Sequence, residues 1–332
     1  MPPRPRSRQP LVLLLLVLTA ATACRRPEGG PAATTTPKPA AGERETVLLS
    51  GPWRFEASND LEGAEATAFD DRAWKPVSVP HTWGARPWRR AWYRLHFVVP
   101  REDVGRPLYL VFEGAATFAD VYVNGTHLGQ HRGAFTRFVF DARRAAVAGD
   151  NVLAVRLTND PADTADSLPS GLGKQLYNLY GGLYRKVWLV KTHRLHVDPT
   201  EDASPGIYVT ASNVTPQSAD LAVKVLVRNA DGARRPVEVR CRLLDAAGQP
   251  VVVLVRKMEI DGGAAVPVSV AAKLDQPRLW SPSHPYLYRV RAEVVAEDRV
   301  VDVVEQRTGF RDFRLVDGRF LLNGSPVALR GV

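Results

Sequence analysis

Residues Ala119–Gly133, ADVYVNGTHLGQHRG, constrain the fold more than any other stretch. Val121 and Val123 face one way and Asp120 and Tyr122 the other, which is the period of two expected of a half-buried strand. Asn124-Gly125 supplies two residues that tolerate positive φ, as a two-residue type I′ turn requires. Thr126–Gln130 then returns as the partner strand. A hairpin alone is marginal in water and needs a sheet to cover its apolar face. Strands on both sides supply one: Leu108–Glu113 before it, Phe135–Phe140 and Asn151–Leu157 after it.

The N-terminus reads differently. Met1–Pro10 carries Arg4, Arg6 and Arg8 and no acid, and Leu11–Leu18 is an unbroken apolar run. That run is far shorter than the ~20 residues of a membrane span and suits a cleaved export signal. The small residues Thr19–Ala23 ending at Cys24 resemble a bacterial lipoprotein signal, with Cys24 lipidated and anchored in a membrane. Ala21 stands where that pattern prefers Leu, and ordinary secretion after a cut near Ala23 is the alternative. Residues 24–45 are rich in Pro, Ala, Thr and Gly without apolar periodicity, as in a tether.

The net charge is +9, or +6 without the three leader arginines, and the rest scatter along strands. That distribution suits solvated strand faces and not a nucleic-acid patch. Cys241 is the one other cysteine; in Val237–Leu243 it alternates with Val239 as a small core residue, so no disulfide framework or cysteine metal site is assigned. His127 and His131, four apart on a strand, share a face about 13 Å apart, too far to chelate one ion. No metal and no cofactor is assigned.

From Thr46 the chain reads as two all-β domains. Residues 46–196 give eight or nine strands of a jelly-roll sandwich, with Trp53, Phe55, Phe69 and Trp74 as core anchors. Pro80 ends a strand, with His81 and Trp83 in the loop beyond. In Ala91–Val99, Trp92, Arg94 and His96 share one face. Pro161–Lys174 is a long loop of the kind that often carries function. Residues 197–305 give seven short strands at the spacing of an immunoglobulin-like sandwich. Residues 306–332 hold hairpin turns at Asp317-Gly318 and Asn323-Gly324, then an apolar run, Val327–Val332.

Six motifs in this order resemble glycoside hydrolase family 2, the family of β-galactosidases, β-glucuronidases and β-mannosidases: Trp74…Val79-Pro-His-Thr-Trp83, Ala119–Gly133, Asn151–Asn159, Gly181-Gly-Leu-Tyr-Arg185, Leu279–Tyr288, and Phe320…Gly331. The resemblance covers about 46–332. It implies a jelly-roll sugar-binding domain, an immunoglobulin-like domain, and the lead-in to a catalytic (β/α)8 barrel that needs about 250 residues more. Retaining glycosidases cleave with two carboxylates about 5–5.5 Å apart. The family carries both on the barrel, the acid/base in an Asn-Glu pair, and no Asn-Glu pair occurs in these 332 residues. The resemblance therefore implies the non-catalytic portion of an exported β-glycosidase, with no catalytic residue here and no activity alone. A free-standing carbohydrate-binding surface lipoprotein is the alternative.

Members also extend a loop from the first domain toward the sugar, just before the Gly-Gly-x-Tyr-Arg strand. The matching acidic position here is Leu176, which leaves Gln175 and Asn178 as polar candidates for sugar contact, or as loop-capping amides. His81 and Trp83 are candidates for stacking on a pyranose ring, or for packing at the domain seam.

Overall fold

Alternation decides the architecture. In Ser218–Asn229 every second residue from Ala219 to Val227 is buried, and Val237, Val239, Cys241 and Leu243 repeat the pattern one strand later. A computed structural model describes residues 44–84, 90–159 and 180–329. Cys24, the leader, the tether up to residue 43, Gln175 and Asn178 lie outside the described residues. All described elements longer than a single 3-10 turn are strands.

Ten strands form the first sandwich: β1 (Glu45–Leu48), β2 (Trp53–Ala57), β3 (Lys75–Val77), β4 (Arg90–Val99), β5 (Leu108–Phe112), β6 (Phe118–Val123), β7 (Thr126–Arg132), β8 (Phe138–Asp141), β9 (Gly149–Thr158) and β10 (Val187–Lys191). One sheet runs β3-β2-β4-β9-β6-β7 and the other β1-β10-β5-β8. Trp53, Tyr93, Leu110, Phe112, Val121, Val123, Leu153 and Leu157 fill the space between them. The β6–β7 turn has Asn124 at φ 50° and Gly125 at φ 80°, the type I′ geometry expected of Asn-Gly.

One expectation is corrected in this ribbon. Val121 pairs with Gly129 but Tyr122 pairs with His127, so Leu128 is an extra residue, a β-bulge. A bulge reverses the side-chain alternation beyond it. His127 and His131 therefore lie on opposite faces: His127 meets Tyr122 and Asp120, while His131 stacks on Phe138. The two rings thus do not share the face expected of residues four apart on a regular strand.

The six-stranded sheet has part of its outer face covered by residues 58–74. Arg94, fully buried on β4, donates to Asp71 Oδ2 at 2.8 Å and to the carbonyls of Ala64, Ala66 and Phe69. Burial pushes the Asp71 carboxyl up, but hydrogen bonds from Arg94 and His96 outweigh it and hold the group below its ordinary range. Trp74, Trp92 and Ala154 close a small apolar cluster beneath the same segment.

Eight strands form the second sandwich: β11 (Leu195–Val197), β12 (Ile207–Ser212), β13 (Ser218–Asn229), β14 (Arg235–Leu244), β15 (Pro250–Ile260), β16 (Ala265–Asp275), β17 (Tyr288–Ala296) and β18 (Arg299–Thr308). In one sheet β13 carries β11 and β12 along one edge and β16 along the other; the second sheet runs β15-β14-β17-β18. The strand beyond the seven expected is β11, three residues long and too short for periodicity to reveal. Cys241 sits in this core, its thiol pushed up to about 12 by burial and by Glu293. Three short strands follow: β19 (Phe313–Val316), β20 (Arg319–Leu322) and β21 (Ser325–Pro326).

Both sandwiches lie within one compact unit. At their seam Tyr109 and His196, both buried, meet through the tyrosine hydroxyl and His196 Nε2 at 2.7 Å. Burial pushes the His196 imidazole down to about 4. A neutral ring donates from Nδ1 to the Arg194 carbonyl and accepts from Tyr109 at Nε2. The unfolded chain, with His196 near its ordinary pKa of about 6.5, binds the proton more readily than the folded one. His196 thus contributes stability above pH ~6.5 that is lost as pH falls toward 4. His196→Gln keeps an acceptor for Tyr109 but removes the titration. Denaturant midpoints measured between pH 4.5 and 7 should fall less steeply on acidification in the variant than in the native chain; parallel curves would contradict this.

Candidate functional site

Two chain segments meet at one end of the first sandwich, and each is built around the other. Val79-Pro80 leads into His81, whose backbone N–H donates to the Leu183 carbonyl at 2.8 Å. The Trp83 N–H donates to the Gly181 carbonyl at 2.9 Å. A Cβ at Gly181 would lie 1.9 Å from the Trp83 ring, and one at Gly182 would lie 2.3 Å from the His81 carbonyl oxygen. Gly182 also has φ +148°, outside the range open to most side chains. The Gly-Gly pair is therefore a packing requirement of the His81–Trp83 segment. Tyr184, further along, donates its hydroxyl to the Ala134 carbonyl.

His81 and Trp83 belong to an aromatic cluster. Trp83 is 7% exposed and packs beside Phe55 and Tyr93. His81 is half-buried, with Nδ1 2.7 Å from the Tyr93 hydroxyl. Burial, with Lys75 nearby, pushes the His81 imidazole below its ordinary range, and burial pushes the Tyr93 hydroxyl up. The structure thus places Trp83 in the core, where its ring supports Gly181; His81 keeps a partly open edge. Gln175 and Asn178 precede the Gly181-Gly182 bridge and lie outside the described residues.

A second constellation lies on the outer face of the six-stranded sheet, away from the covering segment. Two rows of side chains run in register across β4, β9, β6 and β7. One is Arg90–Thr158–Phe118–Arg132 and the other Trp92–Arg156–Asp120–Gln130. Asp120, largely buried, accepts from Arg156 Nη2 at 2.9 Å and from Gln130 Nε2 at 3.1 Å, with His127 Nε2 3.3 Å away. Arg132 donates to Gln130 Oε1 at 2.8 Å and lies over the Phe118 ring. The rows line a cleft of about 340 Å³. Arg90 begins β4 and Thr158 ends β9, so the cleft lies at the ends of these two strands. Sequence reading passed over these residues. Their signal was present as charged and amide side chains on the polar face of the Ala119–Gly133 ribbon, but register across four strands is not local information. No cluster of three or more metal-ligating side chains occurs among the described residues.

With that geometry in hand, comparison with known proteins is direct. Residues 53–184 match the glycosyl hydrolase 2 galactose-binding domain-like family, and residues 204–311 match glycosyl hydrolases family 2. A β-glucuronidase of Formosa agariphila is 30% identical over 313 residues, covering 87% of this chain and 32% of its own length. A β-galactosidase of Thermoanaerobacter pseudethanolicus is 32% identical over 309 residues, covering 87% of this chain and 38% of its own. The crystal structure of a Bacteroides uniformis β-glucuronidase superposes with a TM-score of 0.81 at 28% identity, over 87% of this chain and 35% of that one. The chain thus spans about a third of the length of the relatives it matches.

The fit of Trp83 on Gly181 predicts a strongly non-additive pair. Gly181→Ala should cost several kcal/mol, on the order of other overpacked or strained sites, and lower the melting temperature by roughly 10 °C. In a Trp83→Ala background the added methyl has room, so the same change should cost less than half as much. Equal costs in both backgrounds, by calorimetry, would refute the packing account.

Proposed function

Taking as its premise that residues 53–184 and 204–311 are the sugar-binding and immunoglobulin-like domains of glycoside hydrolase family 2, we propose that this chain is the N-terminal, non-catalytic portion of an exported β-glycosidase. The observation that carries the reading is the coverage. Both domains stand in family order, and together they align with about a third of β-glucuronidases and β-galactosidases. The proposed reaction of the whole protein is hydrolysis of a β-glycoside, a glucuronide or a galactoside, by a carboxylate pair on a barrel that follows. These sandwiches would hold the barrel and contribute carbohydrate contacts.

The last described strands support this reading. β19 and β20 pair as a hairpin that leaves Phe313, Leu315, Val316 and Phe320 exposed, with Phe313 and Phe320 stacked ring on ring. Exposed apolar side chains so close together suit a surface that another domain covers. Export rests on the leader and on Cys24, read as a lipid-anchored N-terminus.

The purified 332-residue chain should release no chromophore from aryl β-glucuronides or β-galactosides, whereas a chain extended through its downstream coding sequence should. Turnover by the 332 residues alone, or unrelated sequence downstream, would overturn the assignment. Radiolabelled fatty acid should be incorporated in a bacterial host and lost in Cys24→Ala. Equal labelling of both chains would refute the anchor, and secretion after an ordinary cut near Ala23 would then replace it.

A further inference from the structure

The outer face of the β1-β10-β5-β8 sheet turns toward the second sandwich. Tyr109, Val111 and Val190 are buried there beside Trp188 and Val139. Where the two sandwiches diverge they leave a cleft of about 400 Å³. The first sandwich contributes Trp188, Glu113 and Arg137; the second contributes Pro199, Pro205 and the middle of β18.

Arg137 is the unexplained group. It is half-buried, and no hydrogen-bond or ion-pair partner meets its guanidinium among the described residues. Burial pushes it below its ordinary range; Arg44 adds repulsion and Glu113 opposes. A guanidinium carries five N–H donors, and those of Arg137 are open to the cleft with no acceptor on them among the described residues. Glu113 stands beside it. One of its oxygens, Oε1, accepts from the Trp188 indole at 2.8 Å, which leaves Oε2 as an acceptor. Lys186 lies 5.5 Å over the Trp188 ring.

These groups call for a ligand with both characters. A purely apolar molecule would leave Arg137 unpaired, and a phosphate would face Glu113 and Glu305. A pyranose answers both needs. Adjacent hydroxyls accept from Arg137 and donate to Glu113, while its C–H face lies against indole, proline and valine surface. The volume falls at the small end of ligand clefts, about 300–1,000 Å³, suited to one or two sugar rings.

We propose that the cleft between the sandwiches, walled by Trp188, Arg137 and Glu113, is a saccharide-binding site. The choice of sugars to test rests on the β-glycosidase reading above. The 332-residue chain is titrated calorimetrically with methyl β-galactoside, methyl β-glucuronide and lactose. Saturable binding is expected with at least one, weakened tenfold or more in Arg137→Ala and in Glu113→Gln, both of which leave the indole in place. Tighter binding of the glucuronide would mark Arg137 as pairing a carboxylate; equal binding would mark hydroxyl recognition. No saturable heat with any of the three, or affinity within twofold of the native chain in both variants, overturns the proposal. The glycosidase reading stands or falls separately. Binding here without a barrel downstream would keep the cleft and remove the enzyme, and a barrel without binding here would do the reverse.

Discussion

One buried carboxylate joins the two sandwiches. Asp302, on β18, accepts from Arg44 Nε at 2.7 Å, from Arg44 Nη2 at 2.9 Å and from the Val197 backbone N–H at 2.7 Å. The same arginine donates to the Val197 carbonyl at 2.7 Å. Three segments far apart in sequence are thus tied at one point: the approach to β1, the start of the second sandwich and its last long strand. A charge taken out of water is tolerated only when fully paired, and removing one partner of such a pair typically costs about 3–5 kcal/mol. The geometry is therefore strongly enforced. Arg44 and Val303 also line the cleft that holds Trp188 and Arg137, so the width of that cleft follows from the Asp302 knot. Tyr109 and His196 reinforce the seam with a neutral hydrogen bond that needs no compensating charge.

The same logic, an arginine neutralised inside the fold, explains how one sheet face is taken out of use. Strand β4 presents Trp92, Arg94 and His96 on the side that alternation alone would leave to solvent. Asp71 and three backbone carbonyls convert Arg94 into an anchor for residues 58–74. The covering segment closes part of the face and leaves a cleft lined by Arg156, Gln130 and the largely buried Asp120 beside it. The polar cleft on the first domain is what remains of the sheet surface once the segment is pinned.

Much of this was legible in the sequence, and the boundary between what was and was not is physical. Period-two burial in β13 and β14, and the hairpin turns at Asn124-Gly125, Asp317-Gly318 and Asn323-Gly324, are local properties, and the chain displays them directly. The Gly-Gly pair at 181–182 stood out as a motif, but its reason, the ring of Trp83 nearly a hundred residues earlier, needs the fold. The bulge at Leu128 has no local signature, and it moved His131 to the other face. The Arg94–Asp71 pair, the Asp302 knot and the Arg137 cleft arise between segments that sequence spacing does not relate. Register across strands and contact between domains are the information a single chain, read locally, does not carry.

That distinction bears on chemistry. The acid in a glycosidase needs a carboxyl held high, so that it keeps its proton at working pH until the leaving oxygen takes it. Several carboxylates of these sandwiches are pulled the other way. Asp71 is held down by Arg94 and His96, Asp103 by Lys191 and Arg106, Asp231 by Arg194 and Arg235, and Glu238 by Arg240, in each against the opposing effect of burial. Such groups are ionised anchors; they fix loops and seams and have no proton to give near neutrality. Arg137 is the converse case, a cation with no direct ion pair among the described residues, although Glu113 stands nearby. In a fold that otherwise pairs its buried charges so thoroughly, an unpaired half-buried guanidinium beside an indole is where an outside ligand has something to contribute.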